Sequence, residues 1–115
     1  SMEIDKNFLR LIHISESIIK IEKIAQELSY GEYLEDWIKQ DAIIRNFEII
    51  GEASKQITED FRNNHPEVPW KYASGMRNYL IHEYFNVDYD EVWKTLKEDL
   101  PLLKLQIQQL IKEFE

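Results

Sequence analysis

From Tyr89 onward the chain sets Tyr89, Trp93, Leu96, Leu100, Leu103, Ile107, Leu110 and Phe114 at steps of four and three without a miss. That spacing draws an apolar stripe down one side of an α-helix and cannot line one face of a β-strand, whose period is two. The same rhythm opens the chain. Ile4, Leu11, Ile18 and Ala25 recur every seven residues, Ile14, Ile21 and Leu28 fill the companion positions, and Phe8, Ile12 and Ile19 widen the stripe. A face that wide needs more than one neighbour. The expected fold is therefore all-α, an antiparallel bundle of four to five helices.

Three glycines and three prolines leave few turns for an all-β alternative, and the abundance of Ile, Leu, Glu, Lys and Gln favours helices. At 115 residues, 1–115 reads as a single domain around one core. The absence of cysteine excludes disulfides and thiolate metal sites. No apolar run reaches ~18 residues and no signal-peptide pattern opens the chain, so a soluble, cytoplasmic protein with no membrane partner is expected. The net charge of −8 argues against broad, non-specific nucleic-acid binding. It leaves room for a local cationic cleft and suits docking onto a basic partner.

The first helix is predicted from about Ile4 to about Leu28, with His13 as a partly exposed surface histidine. Residues 29–35 form the first connection, with Gly31 as a left-handed stop. Asp36 caps a second helix running to about Asp60. Its core side is Ile43, Phe47, Ile50 and Ile57, and Asp41, Arg45, Glu48 and Glu52 form one polar stripe. Gly51 sits mid-helix, where it costs ~1 kcal/mol relative to alanine, and this predicts close approach by the helix that follows. The loop at 63–70 is rigid and extended, with Trp70 plugging the core edge and His65 lacking any ligand partner. A third helix spans about Trp70 to Tyr84, ended by Asn86 in the left-handed region. Asp88 and Glu91 open the last helix as a capping box, and Pro101 predicts a kink, or a split and restart capped by Asp99.

The segment SGMRNYLIHEYF, residues 74–85, holds the one close-set group that reads as chemistry: Arg77, Asn78, His82 and Tyr84. Arginine keeps its charge at working pH, and histidine titrates near neutrality. At ~100° per residue Arg77 and Tyr84 share a face, and Asn78 and His82 share a neighbouring one, where the amide can fix the imidazole tautomer. Glu48 and Glu52, like charges one turn apart, call for a cation such as Arg77. The alternative is a solvated face on which Arg45 pairs with Asp41 and Glu48.

The sequence shows no glycine-rich phosphate loop, metal-ligand cluster or cofactor motif. An Arg–His pair without a metal suits RNA, which carries its own 2′-hydroxyl nucleophile beside the scissile phosphate. His82 is the candidate base or acid, and Arg77 the candidate stabiliser of charge on phosphorus. One histidine per site is half a set, so two copies meeting at a dimer interface make a more complete one. The alternative keeps Arg77 as a structural partner of Glu48 or Glu52 and His82 as a satisfied core histidine.

The runs IGEASKQI (50–57) and PWKYASGMRNYLIHEYFNVDYDEVW (69–93) resemble the HepT-like family of the HEPN superfamily. The likeness extends from QDAIIRNFEIIGEA (40–53) to DLPLL (99–103). It includes the motif Arg77, four residues, His82, one residue, Tyr84, with Asn78 as the polar residue after the arginine. The resemblance implies a HEPN-like helical bundle and a metal-independent ribonuclease toxin in which Arg77 and His82 carry cleavage. It further implies a homodimer with the two motifs facing a shared cleft. The partner antitoxin, a minimal nucleotidyltransferase of the MntA type, would silence the toxin by transferring AMP to Tyr84. An acidic chain that captures RNA also needs basic side chains such as Lys71 or Arg45 along its cleft. A non-catalytic HEPN module that only partners a nucleotidyltransferase is the alternative.

Overall fold

The computed structural model describes residues 5–115, and the regular structure among them is entirely helical. The predicted start at Ile4 lies outside the described residues. Helix α1 (Lys6–Ala25) begins where the Asp5 carboxylate accepts hydrogen bonds from the Asn7 and Phe8 N–H groups. Beyond its end, Glu27 adopts φ 59°.

That residue takes the role expected of Gly31, which has no left-handed φ and lies inside α2 (Tyr30–Glu35). The reason is local. Ser29 and Glu32 form a reciprocal capping box that commits residues 30–35 to a helix. The chain must therefore break before Ser29. This supposed connection also supplies a core residue: Tyr33 is fully buried, its hydroxyl donating to the Tyr89 carbonyl and its ring 4.7 Å from that of Trp93.

Asp36 starts α3 (Trp37–Gln56) as predicted, accepting from the Lys39 N–H at 3.0 Å. The helix stops short of Asp60 because Thr58 caps a separate turn, α4 (Glu59–Asn64), through the Phe61 N–H. Asn7 clamps that junction from α1, accepting from the Thr58 N–H and donating to its hydroxyl. The beginning of α1 thus sits beside the end of α3, and the two run antiparallel.

Helix α5 (Trp70–His82) starts from Trp70, which is buried at the core edge as expected, its indole N–H donating to the His65 carbonyl. It ends two residues before Tyr84, and Asn86 is not left-handed. Tyr79 shapes the exit instead: its hydroxyl accepts from the Asp88 N–H and donates to the Asn86 carbonyl.

Asp88 caps α6 (Tyr89–Lys94), which passes through a π-helical turn (Thr95–Asp99) into α7 (Leu100–Glu113). No restart is capped by Asp99, whose side chain makes no capping bond. Proline lacks an N–H and collides with the carbonyl four residues back. Widening the preceding turn, so that the Leu100 N–H reaches the Thr95 carbonyl, absorbs Pro101 without ending the helix.

Helices α1, α3, α5 and the α6–α7 rod form the antiparallel bundle. Leu11, Ile14, Ile18 and Ile21 from α1 meet Ile43, Phe47 and Ile50 from α3, Leu80 from α5 and Ile107 from α7 in the core. Each such side chain contributes about 1.5–3 kcal/mol by leaving water.

Candidate active site

A Cβ on Gly51 would stand 2.6 Å from the Ala73 carbonyl oxygen and would overlap the Cβ of Arg77. The glycine predicted to admit a neighbour does so, and the residue it admits is Arg77. With its Cβ seated on the α3 backbone, Arg77 emerges along the polar stripe of that helix. Its Nε lies 3.3 Å from Glu52 Oε2.

The contacts continue in both directions. Glu52 Oε1 accepts from the Gln56 amide at 3.0 Å, and Gln56 Oε1 accepts from Arg10 Nη2 at 3.2 Å. At the other end Arg77 Nη1 donates to Asn78 Oδ1 at 3.0 Å. One polar chain therefore crosses the bundle from α1 over α3 to α5. Nearer the start of α3, Arg45 Nη1 stands 3.8 Å from Glu48 Oε1. The Glu52 carboxyl is held below the usual carboxylate range, chiefly by the Gln56 hydrogen bond and further by the Arg77 charge, against the opposing effect of burial.

These side chains wall an open cleft of about 270 Å³. Arg10 and His13 line it from α1, Arg45, Glu48, Glu52 and Gln56 from α3, and Arg77 and Ile81 from α5. Among the described residues no three His, Asp or Glu side chains converge to hold a metal ion.

The structure brings Arg77, Arg45, Glu48 and Glu52 together, and the cation wanted by the two glutamates is Arg77, at Glu52. Asn78 contacts the arginine and not the imidazole, so the expectation that its amide fixes the His82 tautomer is corrected. His82 is the last residue of α5, exposed, and outside the cleft lining. Five residues along a helix place it about 140° round the axis and ~7.5 Å along it from Arg77. Exposure also overturns the reading of His82 as a core histidine. Tyr84 lies past the helix end, 67% exposed and with its ring 4.6 Å from that of Phe85. The helical phase that would align it with Arg77 stops before reaching it. Lys71 faces a different surface with Arg62 and Trp70.

His13 is partly exposed, as expected, and lines the cleft; sequence reasoning did not single out Arg10 or Gln56. The polar side of α1 was legible, but nothing in the spacing said which part of it would border the α3 stripe.

The family described as ribonuclease HepT-like matches residues 14–110. The chain belongs to this family. Among its relatives, a probable ribonuclease HepT of Thermococcus cleftensis is 48% identical over 99 residues, covering 86% of this chain and 90% of the relative. A putative RNase of Methanocaldococcus jannaschii is 43% identical over 98 residues, covering 85% of this chain and 90% of its own. No solved structure matches the chain. The HepT-like match takes in Arg45, Glu48, Glu52, Arg77, His82 and Tyr84, and begins just after Arg10 and His13.

Proposed function

We propose that this HepT-like protein is a metal-independent RNA endonuclease, the toxin of a toxin–antitoxin pair. The observation that carries the reading is Arg77, fixed by Glu52 and Asn78 at the wall of an open cleft that collects three of the four arginines in a chain of net charge −8. The ribonuclease names of the relatives support RNA as the substrate.

Arginine presents a planar fork of donors to a phosphodiester and cannot act as a base. It stabilises the extra negative charge that gathers on the non-bridging oxygens as phosphorus becomes five-coordinate. The 2′-hydroxyl loses its proton to an imidazole while its oxygen bonds to phosphorus. The bond from phosphorus to the 5′-oxygen breaks, and that oxygen takes a proton from a second imidazole, leaving a cyclic phosphate. His82 supplies the imidazole, and its exposure lets it serve a cleft shared between two chains. The apolar surface around this end of α3 and α5 supports such a homodimer: Ile38, Ile81 and Phe85 are exposed, Phe85 by 86%. The antitoxin in this reading is an MntA-like nucleotidyltransferase that transfers AMP to Tyr84.

The test is incubation of the purified protein with total RNA in EDTA beside His82→Ala and Arg77→Ala. Cleavage leaving cyclic-phosphate ends, lost in both variants while helicity and dimer mass persist, supports the reading. RNA left intact by protein whose intact mass shows an unmodified Tyr84 overturns it and leaves a non-catalytic partner of the nucleotidyltransferase.

A further inference from the structure

We infer that Arg10 and His13, on α1, form a subsite for an RNA phosphodiester flanking the one that Arg77 holds. The inference rests on the ribonuclease reading and deepens it by assigning the far wall of the cleft.

The first argument is composition at the site. The chain has ten lysines and four arginines. None of the lysines lines the cleft, yet Arg10, Arg45 and Arg77 do. Arginine is the residue suited to planar, bidentate recognition of phosphate, so this segregation points to phosphate oxygens and not to general attraction of anions.

The second argument is spacing. Each arginine is held by a different residue of α3: Arg45 by Glu48, Arg77 by Glu52 and Arg10 by Gln56. These three partners follow one another at four-residue steps, about 6 Å apart along the helix. The guanidinium groups are therefore spread along a line and not bunched at one point. That separation is comparable to the distance between successive phosphates on an extended strand.

The third argument is charge. Arg45 and Arg77 each face a carboxylate, but the hydrogen-bond partner of Arg10 is a neutral amide. Glu52 is hydrogen-bonded by Gln56 and paired with Arg77, and Arg10 acts on it only through longer-range attraction, without direct contact. The positive charge of the cleft left over after this pairing sits on α1. His13 lies one turn from Arg10 on the same wall, and its imidazole offers an N–H donor whether neutral or protonated. A guanidinium and an imidazole N–H one helical turn apart on the same cleft wall offer donors to a phosphodiester.

The experiment measures binding apart from cleavage. A short 2′-O-methyl RNA oligonucleotide lacks the nucleophile, so its affinity reports capture alone. Fluorescence anisotropy across a salt series is run on wild type, Arg10→Ala, His13→Gln and Arg62→Ala. Arg62, the fourth arginine, donates to the Lys55 carbonyl outside the cleft and serves as the control. For Arg10→Ala the expected result is a Kd raised about tenfold, with the slope of log Kd on log salt reduced by about 0.7, the value for one lost phosphate contact on a single strand. His13→Gln weakens binding in the same direction, and Arg62→Ala leaves the slope unchanged. Wild-type Kd and slope in both α1 variants, with RNA cleavage still active, overturn the subsite and leave the ribonuclease standing. Failure of wild type to bind the oligonucleotide at all overturns the subsite together with RNA capture by this cleft.

Discussion

Arg77 Nε meets Glu52 Oε2 at 3.3 Å, with both side chains partly open to solvent. An ion pair so placed contributes only about 0–1 kcal/mol to folding, so its consequence lies in where it aims the guanidinium. Glu52→Gln is therefore expected to shift Tm by no more than about 4 °C. Loss of orientation is expected to lower kcat about threefold to tenfold, while removal of a negative charge beside the proposed phosphate site lowers KM. Steady-state kinetics on a defined RNA, with a melting curve beside them, check the split. An unchanged kcat means that Glu52 does not position Arg77.

Gly51 gives a sharper test of the same geometry. In Gly51→Ala the new methyl overlaps the Arg77 Cβ and presses on the Ala73 carbonyl. Overpacking of this kind costs about 1–3 kcal/mol, offset by up to ~1 kcal/mol of helix propensity. The expected result is a Tm lowered by several degrees and, because Arg77 is pushed off its position, a loss of about a hundredfold in kcat. Gly75→Ala is the control: a Cβ there meets open space, and the variant is expected to gain up to ~1 kcal/mol. Equal behaviour of the two variants in thermal melts would show that the α3–α5 contact is looser than described.

These two positions also show how far the sequence could be read. Gly51 announced a close neighbour because an uncompensated mid-helix glycine is costly, and periodicity alone placed Leu11, Ile18, Ile50 and Ile107 in the core. Boundaries failed where local hydrogen bonding decided them: the Ser29–Glu32 box turned a connection into α2, and Thr58 cut α3 short of Asp60. The π turn ahead of Pro101 was illegible for a related reason, since a proline signals that something must give without saying what. At the site, the α3 stripe and its Arg77 partner were legible, whereas the α5 pairings were not, because Asn78 turns to Arg77 and the helix ends at His82. The place of Arg10 and His13 at the cleft was not legible either, because it depends on the rotation of α1 against α3, which no spacing within α1 encodes.

Glu27 carries a left-handed φ of 59° that glycine adopts without a steric cost. Glu27→Gly is expected to stabilise the fold by roughly 1 kcal/mol, raising Tm by about 4 °C. Its side chain is exposed and distant from the cleft lining, so RNA cleavage is expected to be unchanged. Differential scanning calorimetry reads the shift, and a lower Tm contradicts the assignment of Glu27 as the residue that ends α1.

The acid side of the stability profile follows from two carboxylates. Glu32 is held below the usual carboxylate range by the Ser29 N–H first and the Ser29 side chain second, and Glu52 by Gln56 and then Arg77. A carboxyl whose pKa is lower folded than unfolded stabilises the fold above its ordinary value, near 4.5, and the gain is lost as pH falls through the lower folded value. Stability from these groups is thus flat from pH 7 to about pH 5 and declines below that range. Urea unfolding at a series of pH values tests this. Glu32→Gln removes part of the acid decline, whereas an identical profile in that variant assigns the decline to other groups.

Tyr84 stands two residues beyond the end of α5, its side chain largely in solvent and its ring against Phe85. A modifying enzyme can therefore reach its hydroxyl without unfolding any helix. In AMP transfer the tyrosine oxygen bonds to the α-phosphorus of ATP and pyrophosphate leaves, so the side chain gains a nucleotide and a negative charge. In the function proposed above, that added phosphate competes with RNA for the cleft cations Arg45 and Arg77. Tyr84→Phe is expected to retain wild-type RNA cleavage and, with the antitoxin and ATP, to gain no adenylyl mass and stay active. Wild type under the same conditions gains the mass and loses cleavage in parallel. Intact-mass spectrometry paired with the cleavage assay distinguishes the outcomes. AMP appearing on the phenylalanine variant moves the modification elsewhere, and full cleavage by an adenylylated wild type removes competition for the arginines as the basis of neutralisation.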